Sequence, residues 1–301
     1  MRRQRSPRPL IFAVEAGRRR RPPWRRWAFV VLAALLASGA AAVVATAGRD
    51  RAKPTTTTVA RRTPPPRARQ PKPAPRRTSA IDHVLAYTPF VARGTPRHRL
   101  IALTFDDGPS PYTSKIVDVL VRMHAPATFF IVGQQLTDFS SGLRDELRHG
   151  FEIGDHTENH AWLIRLGAGG QYTQIHTAAA RLARAGAPFP RLFRPPYGAF
   201  DARTYAILRR LKMLMVLWSI DPGDWRRPGV RAIVQEVLSA ARPGGIVELH
   251  DGGGDRSQTL AALPALIDGL RRRHYQLVTV AQLLAADPPP RHQPVPTLGA
   301  A

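Results

Sequence analysis

Apolar runs of strand length alternate with amphipathic runs of helix length between residues 81 and 286. The strand-like runs are 100–105, 127–132, 151–154, 191–194, 215–220, 245–249 and 276–280. Helical patterns at 114–123, 142–148, 171–185, 202–211, 230–241 and 258–273 lie between them. Such alternation predicts an α/β fold with a parallel sheet, because parallel neighbours need a long crossover and a helix supplies it. Closed on itself, the sheet is a (β/α) barrel; left open, it is doubly wound.

The placement of polar residues favours the barrel. Five strand-like runs end in unusual polar clusters: Thr104-Phe105-Asp106-Asp107-Gly108, His156-Thr157-Glu158-Asn159-His160, Arg194-Pro195-Pro196-Tyr197-Gly198, Asp221-Pro222-Gly223-Asp224-Trp225 and Glu248-Leu249-His250-Asp251. A barrel gathers chemistry at the C-terminal ends of several strands. No glycine-rich phosphate loop follows the first run, which disfavours nucleotide-binding folds.

Before residue 81 the pattern changes. Residues 28–47 form twenty positions without a charge, enough for a helix of ~30 Å, the thickness of a bilayer core. The arginines preceding them predict a cytoplasmic segment over 1–27. Residues 28–47 are read as a transmembrane anchor, with a secretory signal cleaved after Ala47 as the alternative. Residues 48–80, rich in Pro, Thr and Arg, read as an extended linker, and 287–301 as a disordered tail. The expected location is the cell membrane, single-pass, with the domain at 81–286 outside.

Charge changes the picture less than its total suggests. The net charge is +24, but residues 1–80 hold 20 of the 45 Lys+Arg and 2 of the 21 Asp+Glu, a net of +18. The folded part is therefore mildly basic at +6 and lacks aromatics interleaved with a basic patch, so no nucleic-acid partner is expected. The absence of cysteine excludes disulfides, thiolate metal sites and cysteine nucleophiles. A monomer is expected.

The clusters suggest hydrolytic metal chemistry. His156 and His160, four apart, can turn both imidazoles toward one point, and two imidazoles with a carboxylate suit zinc. Adjacent Asp106 and Asp107 repel each other, and a cation between them and the histidines relieves that repulsion. Arg194 is a fixed cation between prolines, with Asp224 as its candidate partner. His250, ending an apolar strand, suits a general acid tuned by a carboxylate.

Taken in order, these five segments resemble those of the polysaccharide deacetylases, the NodB-homology or carbohydrate esterase family 4 domain, over residues 98–285. The glycine-rich stretch from Gly252 to Thr259 is also similar to bacterial members. The resemblance implies a distorted (β/α) barrel and a divalent metal, usually Zn2+, held by Asp107, His156 and His160. It implies Asp106 as base, His250 as acid, Arg194 orienting Asp106, and Asp224 holding Arg194. Tyr197, through its backbone N–H, Trp225, Leu249 and Glu248 would meet the substrate.

The reaction implied is hydrolysis of N-acetyl groups on an amino-sugar polysaccharide, peptidoglycan or a chitin-like glycan. The rival readings are an amidase or esterase on acetylxylan or a small N-acyl compound, and a non-catalytic wall-binding module. Glu248 departs from the family, which usually carries leucine two residues before the catalytic histidine. Strand alternation places Ile246, Glu248 and His250 on one face. A carboxyl there should pair with a cation, find a hydrogen bond, or be protonated.

Overall fold

The computed structural model describes residues 79–293. The expected cytoplasmic segment at 1–27, anchor at 28–47, linker up to residue 78 and tail from 294 onward lie outside the described residues. Among the described residues, no helix is long and apolar enough to cross a membrane.

The chain begins with α1 (Ala80–Leu85) and β1 (Phe90–Val91), followed by β2 (Leu100–Asp106), α2 (Thr113–Arg122) and β3 (Thr128–Ile131). Next come α3 (Leu136–Arg148), β4 (Glu152–Asp155), α4 (Ala168–Arg184), β5 (Leu192–Phe193) and α5 (Ala202–Leu211). The last elements are β6 (Leu214–Val216), α6 (Val230–Ala240), β7 (Gly245–His250), α7 (Ser257–Arg272), β8 (Gln276–Val278) and α8 (Val280–Ala286). All seven strand-like runs form strands. The short β1, α1 and α8 were not read from the pattern, since two to seven residues show too little periodicity to register.

All strand pairs are parallel, in the order β1-β6-β5-β4-β3-β2-β7, with β8 also on β2. The sheet curls. Ile220, just beyond β6, forms an isolated parallel bridge to Val247 of β7. This brings the far side of the sheet back against β7, as in a distorted barrel with helices outside.

The two faces of β2 and β7 divide the core. Ile101, Leu103, Phe105, Val247 and Leu249 face outward into a cluster with α2, α3, α6 and α7. Ala102 and Ile246 face inward with Phe130, Leu214 and Val216, above α1 and α8. The cross-strand partners Ala102–Ile246, Thr104–Glu248 and Asp106–His250 make three successive inward rungs. Polarity rises along them toward the C-terminal edge.

Local sequence signals set the helix ends. Asp201 accepts the N–H groups of Arg203 and Thr204, while the Thr204 hydroxyl accepts the Asp201 N–H, a reciprocal cap that starts α5. At α6 and α7 the packing is closer than a side chain allows: a Cβ at Gly269 would lie 2.7 Å from Leu238 Cδ1.

The chain stays packed past residue 286. Asp287 is fully buried and receives the His98 backbone N–H at 3.0 Å, and Gln293 donates to the Phe90 carbonyl at 3.0 Å. Ordered packing therefore runs into the segment expected to form a disordered tail.

Candidate active site

The site is assembled on the inward rung formed by Asp106 and His250. Beside it, the loop after β4 carries His156 and His160. This loop is not a helix: Thr157 and His160 adopt positive φ, 69° and 57°, which folds it back so that both imidazoles face Asp107. Asp107 (φ 72°) and Tyr197 (φ 60°) are also left-handed. Non-glycine residues pay for that conformation in strain, and such strain gathers at functional sites.

The donor set fits a divalent metal. Asp107 Oδ1 lies 3.5 Å from His156 Nε2 and 3.2 Å from His160 Nε2. One ligand atom from each of the three residues falls within 4.8 Å of the others. His156 Nδ1 sits 2.7 Å from the Arg194 carbonyl oxygen, which can only accept, so the proton belongs on Nδ1 and Nε2 keeps its lone pair. Burial and the nearby His156 push His160 down to about 4, leaving its imidazole neutral at pH 7. Asp107 Oδ1 is buried with no hydrogen-bond donor among the described residues. Lone pairs converging without a proton between them are what a cation resolves.

Asp106 is 1% exposed and held by Arg194, whose Nη1 donates to Asp106 Oδ1 at 2.7 Å. The same nitrogen donates to Thr104 Oγ1 at 2.7 Å, and Nε donates to the Val216 carbonyl at 3.1 Å. The guanidinium lies over the Phe130 ring, 4.2 Å from its centroid. The fully buried cation is thus hydrogen-bonded, charge-paired and stacked.

Two sequence expectations are corrected. Asp224 does not hold Arg194. It binds His250 instead, its Oδ1 2.7 Å from His250 Nδ1 and its Oδ2 accepting the His250 backbone N–H at 2.9 Å. Thr259 donates to Oδ2 as well, at 2.7 Å. The turn after β6 brings Asp224 to the end of β7, whereas Arg194 reaches inward to β2. Leu249 does not line the site: it is fully buried in the outward cluster, because it alternates with His250 along β7.

The environment fixes the charge on His250. Burial alone would lower its pKa, but the Asp224 charge and hydrogen bond raise it to about 10. The imidazolium is therefore present at neutral pH, with Nε2 turned away from Asp224. Asp224 itself stays below the ordinary carboxylate range: burial opposes its charge, and His250 more than offsets that.

A cavity of about 560 Å3 unites Asp106, Asp107, His156, His160, Tyr197, Trp225, Glu248 and His250. Trp218, Asp221, Arg226 and Arg256 also line it, and none of these was singled out as a site residue from the sequence. Trp162, likewise missed, stacks on Tyr197 at 4.5 Å. A larger groove of about 720 Å3 lies between α1 and α5. Its one carboxylate, Asp82, is committed to Arg191, and it contains no acid–base constellation.

A parallel α/β sheet presenting a carboxylate, a charged imidazole and a ligand triad in one open cavity defines a hydrolase site. The family model described as polysaccharide deacetylase matches residues 93–216. The peptidoglycan-N-acetylglucosamine deacetylase of Bacillus cereus is 38% identical over 201 residues, covering 65% of this chain and 94% of that protein. A chitooligosaccharide deacetylase of Bradyrhizobium is 39% identical over 199 residues, covering 62% and 90%. A solved peptidoglycan N-acetylglucosamine deacetylase superposes with a TM-score of 0.64 at 28% identity, covering 66% of this chain and 94% of that one. The chain belongs to the polysaccharide deacetylase family, and it is a hydrolase of that class.

Proposed function

We propose that the chain hydrolyses the N-acetyl amide of an amino-sugar polysaccharide, peptidoglycan or a chitin-like oligosaccharide, in a metal-dependent reaction. The observation that carries this reading is the Asp106–His250 rung. It supports pairing a proton acceptor, Asp106, with a proton donor, His250, at one edge of the cavity beside the candidate ligand triad. Relatives named for peptidoglycan and for chitooligosaccharide support the substrate class.

Asp107, His156 and His160 would hold the metal, with zinc the expected ion. Bound there, a divalent cation supplies Lewis-acid polarisation of the acyl oxygen and lowers the pKa of water. Asp106, fixed by Arg194, takes the proton of the attacking water. The Tyr197 backbone N–H contributes to the oxyanion site. His250 gives its proton to the departing nitrogen, which an amide needs because an amine anion is a poor leaving group. Asp224 keeps His250 charged and oriented for that transfer. Trp225, 38% exposed at the rim, offers a face for a sugar ring.

The uncharged run at 28–47 and the arginines before it support a location at the outer face of the membrane, where a wall glycan is within reach. Cleavage after Ala47 would instead release the domain.

Mass spectrometry of acetylated chitooligosaccharide and peptidoglycan fragments, incubated with the full-length chain and zinc, tests the reading. Loss of an acetyl group with appearance of a free amine supports it. Unchanged masses for both glycans reject it.

A further inference from the structure

The Glu248 carboxyl is the feature of the cavity that the catalytic scheme leaves unused. Glu248 is 6% exposed, lines the cavity, and makes no side-chain hydrogen bond or salt bridge among the described residues. The two cations near it are engaged elsewhere: His250, with a ring nitrogen within 4.8 Å, by Asp224, and Arg194 by Asp106, Thr104 and backbone carbonyls. Burial, and next the charge of Asp106, hold the Glu248 carboxyl well above the ordinary carboxyl range.

Its depth gives it a role. Strand β7 runs toward the cavity mouth and ends at His250. Two residues earlier on the same face, the Glu248 backbone lies roughly 7 Å deeper, and its side chain reaches up so that a carboxyl oxygen falls within 4.8 Å of an Asp106 oxygen and a His250 ring nitrogen. Below it, Ile246 and Ala102 form an apolar rung that belongs to the core. Glu248 is thus the last polar group on this strand before the closed end, with Trp218 lining the same cavity.

The scissile amide has two sides. Its nitrogen carries the sugar of a polymer, which fits only the open groove. Its acyl substituent is the small part, and it alone fits the closed end. With the carbonyl carbon placed between Asp106 and His250, an acyl substituent directed inward would meet Glu248, whose carboxyl lies within 4.8 Å of both. An acetyl methyl there would face an unpartnered carboxyl and leave it unsatisfied. A hydroxyl at that position would satisfy it.

We propose that Glu248 is a specificity residue that selects amide substrates whose acyl group carries a hydroxyl, glycolyl in preference to acetyl or propionyl, by hydrogen bonding to it. This rests on the deacetylase reading. The chemistry is unchanged: water adds to the acyl carbon, the C–N bond breaks, the amine takes a proton, and glycolate leaves in place of acetate. A site that hydrogen-bonds a substrate hydroxyl discriminates strongly against the analogue lacking it, because its own polar group is then left unpaired.

Glycolyl and propionyl have nearly the same shape and differ in a hydroxyl against a methyl, so comparing them isolates the hydrogen bond from size. The experiment measures kcat/KM for the full-length, zinc-loaded chain on three matched glucosamine oligosaccharides bearing N-glycolyl, N-propionyl or N-acetyl groups. The wild type should favour glycolyl over propionyl by about tenfold or more. Glu248→Leu should bring that ratio toward one and improve acetyl hydrolysis relative to glycolyl. Glu248→Gln, which still hydrogen-bonds, should keep most of the preference and serves if the leucine variant does not fold. A wild-type ratio near one, or equal ratios in wild type and Glu248→Leu, overturns the assignment while leaving the deacetylase reading intact. Failure of the wild type to hydrolyse any of the three overturns both.

Discussion

Asp224 holds His250 at two points, one carboxylate oxygen on the ring Nδ1 at 2.7 Å and the other on the backbone N–H at 2.9 Å. One side chain therefore fixes both the orientation of the imidazole and its charge. The arrangement keeps His250 protonated up to about pH 10, so its proton is available as a general acid throughout the neutral range.

Asp224→Asn should move the alkaline limb of the kcat/KM profile to lower pH. The sign follows from the charge: a nearby anion favours the imidazolium, so removing it lowers the His250 pKa toward the ordinary value. At about pH 8 activity should fall by on the order of tenfold to a hundredfold, as general-acid catalysis is lost. A limb that stays in place would show that His250 is charged by something other than Asp224.

Metal content separates the two adjacent aspartates. Asp107→Ala, His156→Ala and His160→Ala should each lose most of the bound zinc measured by elemental analysis. Asp106→Asn should retain it, since Asp106 is held by Arg194 at 2.7 Å and approaches His156 Nε2 only to 3.9 Å, against 3.5 Å for Asp107. Full metal loss in Asp106→Asn would contradict this division of roles.

Arg194→Met should destabilise the fold by about 3–5 kcal/mol, the usual cost of breaking a buried ion pair and leaving one charge behind. The denaturation midpoint measures it. Arg194 is fully buried, so solvent cannot take over its contacts to Asp106, Thr104 and Val216.

Glu146 predicts an unusual pH dependence of stability. It is fully buried, neither carboxyl oxygen has a partner among the described residues, and burial, then the Asp251 charge, raise its pKa well above the ordinary glutamate value. Above about pH 4.5 the unfolded chain releases a proton that the folded chain keeps, so this group costs stability increasingly as pH rises. Glu146→Leu should therefore raise the melting temperature more at about pH 8 than at about pH 4. An equal change at both would remove Glu146 as the cause.

The rungs of β2 and β7 explain how much of this site the sequence revealed. Residue types at strand ends already marked Asp106, Asp107, His156, His160 and His250, because carboxylates and imidazoles are conspicuous after apolar runs. Alternation placed Glu248 inward, where the structure gives its carboxyl no side-chain hydrogen bond among the described residues and burial raises its pKa. The same rule applied one residue further would have turned Leu249 outward into the core. Charge pairing was harder to read. Both Asp106 and Asp224 could have neutralised Arg194 on composition alone, and only the curl of the sheet decides that Arg194 reaches β2 while Asp224 reaches β7. Trp162 and Trp218 carried no local signal, since an aromatic residue in a loop or an apolar run looks the same whether it packs under a site or elsewhere in the fold.

The central claim is that Asp106 and His250 hydrolyse an N-acetyl amide beside the metal triad, and it is tested by paired assay of acetate and free amine released from acetylated peptidoglycan and chitooligosaccharide. The full-length, zinc-loaded wild type should release the two in equal amounts from at least one glycan. Asp106→Asn and His250→Ala should each lose a factor of on the order of 100 or more while retaining zinc. Absence of acetate in the wild type, or release by either variant at the wild-type rate, would contradict the account.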